Sequence, residues 1–188
     1  STASYVQNFS VSAQETGPSG ITFNNDGTKM FIVGYSGDDV NEYSLSTGFD
    51  VSTASYVQNF SVSAQELSPQ GISFNNDGTK MFIVGYSGDD VNEYSLSTGF
   101  DVSTASYVQN FYVGPQETAP SGITFNNDGT KMFVIGRTGD DVNEYSLSTG
   151  FDVSTASYVQ NFSVSAQETA PSGITFNNDG TKMFIVGY

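Results

Sequence analysis

Apolar and polar residues follow one another in short runs along this chain, with none of the three-to-four-residue spacing of an amphipathic helix. The runs Met30-Phe31-Ile32-Val33, Val40-Asn41-Glu42-Tyr43-Ser44-Leu45 and Tyr56-Val57-Gln58-Asn59-Phe60 have strand length and are rich in β-branched and aromatic residues. Turn residues punctuate them. The pattern predicts four strands per unit, over residues 20–23, 30–35, 40–45 and 56–62. Between the first two lies Asn24-Asn25-Asp26-Gly27, whose residue types tolerate the positive φ angles of a tight hairpin. Ser36-Gly37-Asp38 supplies the next turn. Ser46-Thr47-Gly48 opens a longer link to the fourth strand through Phe49 and Val51.

The unit then returns. The stretch Ser1-Thr2-Ala3-Ser4-Tyr5-Val6-Gln7-Asn8-Phe9 recurs from Ser52, Ser103 and Ser154, a period of 51 residues. Repeats 1–51, 52–102 and 103–153 are whole, and 154–188 is partial. Four antiparallel strands at a period of about 40 to 50 residues are the signature of a β-propeller blade, so residues 1–188 read as one all-β propeller. A single blade is too small to bury both of its faces, and its neighbours must cover them. A parallel β-solenoid is the competing architecture, and the repeated hairpin turns argue against it.

Closure is a separate question. By strand count the chain opens on a fourth strand over residues 5–11, runs through three whole sets and ends on a first and a second strand. Residues 183–188 are then expected as an apolar, uncovered edge. A second chain meeting it end to end, as a homo-oligomer, or a longer ring of which this is a segment, would cover it.

Pro18-Ser19-Gly20-Ile21-Thr22-Phe23, Asp26-Gly27-Thr28-Lys29-Met30-Phe31-Ile32-Val33 and Val40-Asn41-Glu42-Tyr43-Ser44-Leu45-Ser46-Thr47-Gly48 together resemble the YVTN and NHL-like class of propeller repeats. The resemblance covers every copy. The class's Tyr-Val-Thr-Asn tetrad falls here on Phe31-Ile32-Val33-Gly34. Relatives in that class include surface-layer proteins and lactonase-like enzymes, so the resemblance implies a surface role or a lactonase-like activity.

Charge narrows the partners. Twenty acids against five bases give a formal net charge of −15, which excludes nucleic acid or anionic lipid held by a basic surface and favours a cationic partner or a metal ion. No Cys is present, which removes disulfides and thiol chemistry. No run of about 18 apolar residues exists to insert in a membrane as a helix. An extracellular or surface-attached location is the expectation.

Antiparallel order fixes which loops share a face. The turn after the second strand carries Asp38 and Asp39, and the loop before the first strand carries Gln14 and Glu15. Both emerge on one side. With Asp89, Asp90, Asp140 and Asp141 at the equivalent turns, and Glu66, Glu117 and Glu168 in the equivalent loops, that side is expected to be a ring of carboxylates. The Asp pairs are candidate ligands for Ca2+, which takes several carboxylate and carbonyl oxygens, or contacts for a basic partner. The same arrangement serves equally as a solvated acidic surface that keeps a repetitive β-protein from associating.

Catalysis finds little support. No His occurs, so a Ser-His-Asp triad and a His general base are both absent. Each blade also repeats the same residues, whereas an active site draws different groups from different blades. A lectin-like module, with Tyr35, Tyr43 and Phe49 as aromatic surface and Asn41 and Gln14 as amide partners, suits repetition because weak identical sites gain avidity. The expectation is therefore a non-catalytic binding or assembly module with several equivalent sites, meeting a protein or glycan partner or its own kind.

Overall fold

The computed structural model describes residues 2–188, and within them three four-stranded antiparallel sheets are followed by a two-stranded hairpin. Blade 1 comprises β1 (Pro18–Phe23), β2 (Lys29–Gly34), β3 (Asp39–Leu45) and β4 (Ala54–Ser61). Blade 2 comprises β5 (Pro69–Phe74), β6 (Lys80–Gly85), β7 (Asp90–Leu96) and β8 (Ala105–Tyr112). Blade 3 comprises β9 (Pro120–Phe125), β10 (Lys131–Gly136), β11 (Asp141–Leu147) and β12 (Ala156–Ser163), and the hairpin is β13 (Pro171–Phe176) with β14 (Met183–Gly187). Each sheet is a meander in chain order, as the turn chemistry predicts.

The turn between β1 and β2 closes by side-chain bonds. Asp26 Oδ1 accepts from the Thr28 amide at 3.0 Å and from its hydroxyl at 2.6 Å, and Asn24 Oδ1 accepts from the Lys29 amide at 2.9 Å. Gly27 adopts φ +72°, and a Cβ there would lie 2.4 Å from the ring of Phe49, which folds back over the turn. A 3₁₀ turn at Val51–Thr53, absent from the sequence reading, leads into β4. Asp50 caps it by accepting from the Ser52 amide at 3.1 Å.

Blade stacking follows from the period of two along the second strands. Phe31 and Val33 of β2 point into the interface with blade 2, where they meet Met81 and Ile83 of β6. Phe82 and Val84 leave β6 on its other side and meet Met132 and Val134 of β10. Both faces of the sheet are therefore apolar, as a stacked blade requires. The innermost strands approach so closely that a Cβ on Gly71 would lie 2.9 Å from the Ser121 carbonyl and 3.0 Å from the Cα of Gly122. Only glycine fits such a backbone contact.

Polar bonds also cross between blades. Asn25 Nδ2 donates to the Asn76 carbonyl at 2.7 Å, Asn76 to Asn127 at 2.6 Å and Asn127 to Asn178 at 2.9 Å, a ladder along the hairpin turns. Lys29 Nζ lies 2.7 Å from Glu42 Oε1 and donates at 2.6 Å to the carbonyl of Phe100 in the next blade.

The two ends differ from expectation in one respect. Residues 5–11 form no strand, because no third strand lies beside them to receive their backbone hydrogen bonds. Their apolar side chains nevertheless take the predicted place: Phe9 and Val11 pack on Met30, Ile32, Tyr43 and Leu45. At the other end the apolar edge is as predicted. Phe184 is 54% exposed and Val186 63%, whereas their counterparts Phe31 and Val33 are fully buried.

Candidate functional site

The loops before each first strand and the turns after each second strand do share one face, and the glutamates join them. Glu15 Oε1 accepts from the Gly17 amide at 2.5 Å, and Oε2 accepts from the Gly37 amide at 3.1 Å. Glu66 accepts from the amides of Ser68, Ser87 and Gly88, and Glu117 from those of Ala119, Thr138 and Gly139. Glu168 accepts from the Ala170 amide at 2.9 Å. Glu15, Glu66 and Glu117 are buried. The expected outward ring of glutamates is corrected at Glu15, Glu66 and Glu117: these carboxylates are internal braces that tie the loop before the first strand to the turn after the second through backbone amides, while Glu168 is half-buried with one such bond.

The aspartate pairs divide in the same way. Asp39 is buried in β3, where its oxygens accept from Asn41 Nδ2 at 2.6 Å and Asn59 Nδ2 at 2.5 Å. Asp90 and Asp141 hold the same asparagine pairs in their blades. Burial raises the Asp90 carboxyl above the usual carboxylate range, with Asn110 and Asn92 opposing. Asp38, Asp89 and Asp140 occupy the turn itself at φ near +50°, and each turn is sealed by a backbone bond such as Val62 N–H to the Asp38 carbonyl at 2.9 Å. Burial raises the Asp38 carboxyl, and the charges of Glu66, Asp39 and Glu15 add to the effect. Among the described residues no three acidic side chains gather closely enough to hold a metal ion. Asp39, Asp90 and Asp141 are occupied by asparagine amides, whereas Asp38 and Asp140 each keep a buried Oδ1 without a partner among the described residues.

Of the candidate lectin-like residues, Tyr43 and Asn41 are buried, while Tyr35 and Phe49 are more than half exposed. Tyr43 packs beneath Phe9 and Val11 on the open side of blade 1, its hydroxyl donating to Gln14 Oε1 at 3.4 Å.

A different cluster emerges where the copies depart from one another. The hairpin turn at 24–29, the third strand and the link to the fourth are identical in every whole copy. Leu67, Ser68 and Gln70 in the second copy, and Tyr112, Gly114, Pro115, Ala119, Arg137 and Thr138 in the third, all lie in the loops and turns of the one face or at the strand ends feeding it. Thr22 against Ser73, and the exchange of Ile32-Val33 for Val134-Ile135, are the conservative exceptions. Three of the departures, Ser68, Gln70 and Arg137, line one cleft of about 390 Å3 together with Tyr35, Tyr86 and Tyr188.

Arg137 lies between two aromatic rings in that cleft. Its guanidinium carbon is 4.1 Å from the Tyr188 ring centroid and 5.4 Å from that of Tyr86. Lys29, Lys80 and Lys131 pair with Glu42, Glu93 and Glu144, whereas Arg137 has no ion pair among the described residues. Arg137 Nε and the Tyr86 hydroxyl are buried without a hydrogen-bond partner. Burial raises the Tyr86 phenol, and the Arg137 charge opposes it.

No helix among the described residues is long and apolar enough to cross a membrane. No family model and no curated protein matches the chain. Solved structures match at the level of fold. A periplasmic gluconolactonase from Pseudomonas aeruginosa is 15% identical over 92% of this chain and 43% of its own, with a TM-score of 0.57. The hydrazine synthase of Kuenenia stuttgartiensis is 19% identical over 96% of this chain and 44% of its own, with a TM-score of 0.61. A β-propeller domain from Myceliophteria thermophila is 9% identical over 90% of this chain and 50% of its own, with a TM-score of 0.57. The chain spans about half the length of these structures, and the likeness shows the fold: repeated blades of a β-propeller.

Proposed function

We propose that this chain is a non-catalytic propeller module that joins further blades of its own kind into a ring and presents the divergent loop face for binding. One observation carries the reading: each uncovered end repeats one half of an interface that is buried inside the chain. Phe184 and Val186 hold the positions of Phe31 and Val33, which blade 2 covers. At the opposite end Phe9, Val11, Ile21, Met30 and Ile32 surround a hollow of about 310 Å3, on the side of blade 1 equivalent to the side of blade 2 that receives Phe31 and Val33. The two ends are complementary, so head-to-tail contact buries both. The gluconolactonase likeness raises an enzymatic alternative. A chain without His, offering near-copies of one loop set in each blade, supports it less than it supports binding.

Light scattering on the 188-residue chain tests the reading. A mass that is a multiple of 20.1 kDa at micromolar concentration, returning to a single chain in Val186→Asp, is expected. A chain that stays single, or a variant as associated as its parent, would overturn it. Gluconolactone hydrolysis above the uncatalysed rate would restore the enzyme.

A further inference from the structure

We propose that the cleft around Arg137 binds a sugar ring carrying one carboxylate. Three independent features of the cleft lead there. The first is where the repeats diverge: an array copied almost without change elsewhere has placed Ser68, Gln70 and Arg137 around a single hollow. At the position of Arg137 the other copies carry Tyr35, Tyr86 and Tyr188, so a ladder of four equivalent side chains contains one cation.

The second is the state of that cation. A guanidinium flanked by two tyrosine rings is held in orientation while its fork stays free for a planar anion, since no carboxylate among the described residues pairs with it. Its Nε and the Tyr86 hydroxyl are buried polar atoms at the cleft wall with no hydrogen-bond partner among the described residues, hydrogen-bonding capacity that the chain itself leaves unused.

The third is what surrounds it. Gln70 Nε2 donates to the carbonyl and hydroxyl of Ser68, both at 3.3 Å, which fixes the amide at the cleft wall. At the equivalent place Ser19 instead donates across to the Pro69 carbonyl at 2.9 Å, and Ser121 to Pro171 at 2.8 Å. The second copy has exchanged a bond between blades for an amide lining the hollow. Tyrosine faces, an amide and hydroxyls suit the alternating apolar and hydroxylated faces of a pyranose, and about 390 Å3 accommodates one or two rings. The charge of the ligand is limited by the protein: with a net charge of −15 and Glu117 close by, one cation balances a single carboxylate better than a phosphate dianion. The inference does not depend on ring closure.

Calorimetric titration of the 188-residue chain with glucuronate, glucose and acetate separates the contributions. Saturable binding of glucuronate is expected, with glucose and acetate each weaker by about tenfold or more. Arg137→Tyr restores the residue of the other copies, so the fold has a template for it, and glucuronate affinity is expected to fall by about tenfold or more. Gln70→Ser likewise restores the repeat while keeping the guanidinium, and is expected to weaken glucuronate without changing acetate. Absence of glucuronate binding at millimolar concentration, unchanged affinity in Arg137→Tyr, or acetate binding as tightly as glucuronate, which would mean an adventitious anion only, would each overturn the proposal.

Discussion

Phe9 meets Tyr43 edge-on, with ring centroids 5.7 Å apart and planes at 80°. Phe60 meets Tyr94 at 5.7 Å and 82°, and Phe111 meets Tyr145 at 5.5 Å and 81°. The first pair is made by a segment outside any sheet and the other two by fourth strands, yet the geometry is the same. The aromatic contact is therefore set by the blade that receives it, and residues 5–11 are docked as a fourth strand whose own sheet is absent.

That equivalence predicts unequal costs for equal substitutions. Phe60→Ala removes a ring between two whole blades and is expected to cost about 3 kcal/mol. Phe9→Ala, at a half-covered interface, is expected to cost about 1 kcal/mol in folding and to lower the associated mass as well. Denaturant titration and light scattering read the two effects. Equal folding costs would mean that blade 1 is as fully covered as blade 2.

The internal glutamates give a second prediction. Glu66→Ala removes a buried carboxylate and leaves the part-buried amides of Ser68, Ser87 and Gly88 without their acceptor, and is expected to lower stability by about 2 kcal/mol. Asp89→Asn, in the adjacent turn at φ +51°, keeps a residue type that tolerates that conformation and is expected to change stability by less than about 0.5 kcal/mol. Since no three acidic side chains gather at one point among the described residues, Ca2+ or EDTA is expected to leave the melting temperature of the parent unchanged. A rise of several degrees with Ca2+ would show that the loops rearrange to bind it.

The lysine pairs test how much covering each blade receives. Lys80 reaches both Glu93 and the Phe151 carbonyl, and the two side chains of the pair are 31% and 2% exposed. Lys131 reaches Glu144 at the same 2.7 Å, but no following link closes over it, and the exposures are 53% and 15%. Removing Lys80 strands a buried carboxylate, so Lys80→Ala is expected to cost about 3 kcal/mol. Lys131→Ala breaks a solvated pair and is expected to cost less than about 1 kcal/mol. Chemical denaturation of the two variants under one buffer decides it.

Much of this was legible along the chain, and the remainder has a common cause. Strands, turns and the shared face follow from neighbours: Asn24-Asn25-Asp26-Gly27 encodes its own hairpin, and alternation in Met30-Phe31-Ile32-Val33 encodes two apolar sides. What was hidden depends on residues a loop or a blade away. Glu15 reads as a solvated acid, because its amide partner Gly37 is 22 positions on. The carbonyl that Lys29 reaches is 71 positions on. The Arg137 cleft did leave a signal, in the substitutions that separate otherwise matching copies. Only the fold shows that Gln70 and Arg137 face the same hollow.

The buried tyrosines set an alkaline limit. Burial, followed by the neighbouring Tyr56 phenol and the Asp39 and Glu15 charges, pushes Tyr43 from its ordinary 10.0 up to about 12, and burial raises Tyr94 and Tyr145 further. In the unfolded chain these phenols ionise near 10. A folded-state value above the unfolded one means that the protonated ring favours the native state. The stability it gives is fully present below pH 10 and is lost as pH rises from 10 toward 12 for Tyr43, and later for the other two. Tyrosinate absorbance from these three rings is therefore expected to appear together with the loss of the β-sheet circular dichroism signal. Tyr94→Phe keeps the packing ring, removes the ionisable group and leaves Gln65 without its 3.3 Å partner, so it is expected to move the alkaline midpoint upward. A midpoint identical in parent and variant would show that water reaches this phenol in the native ring stack.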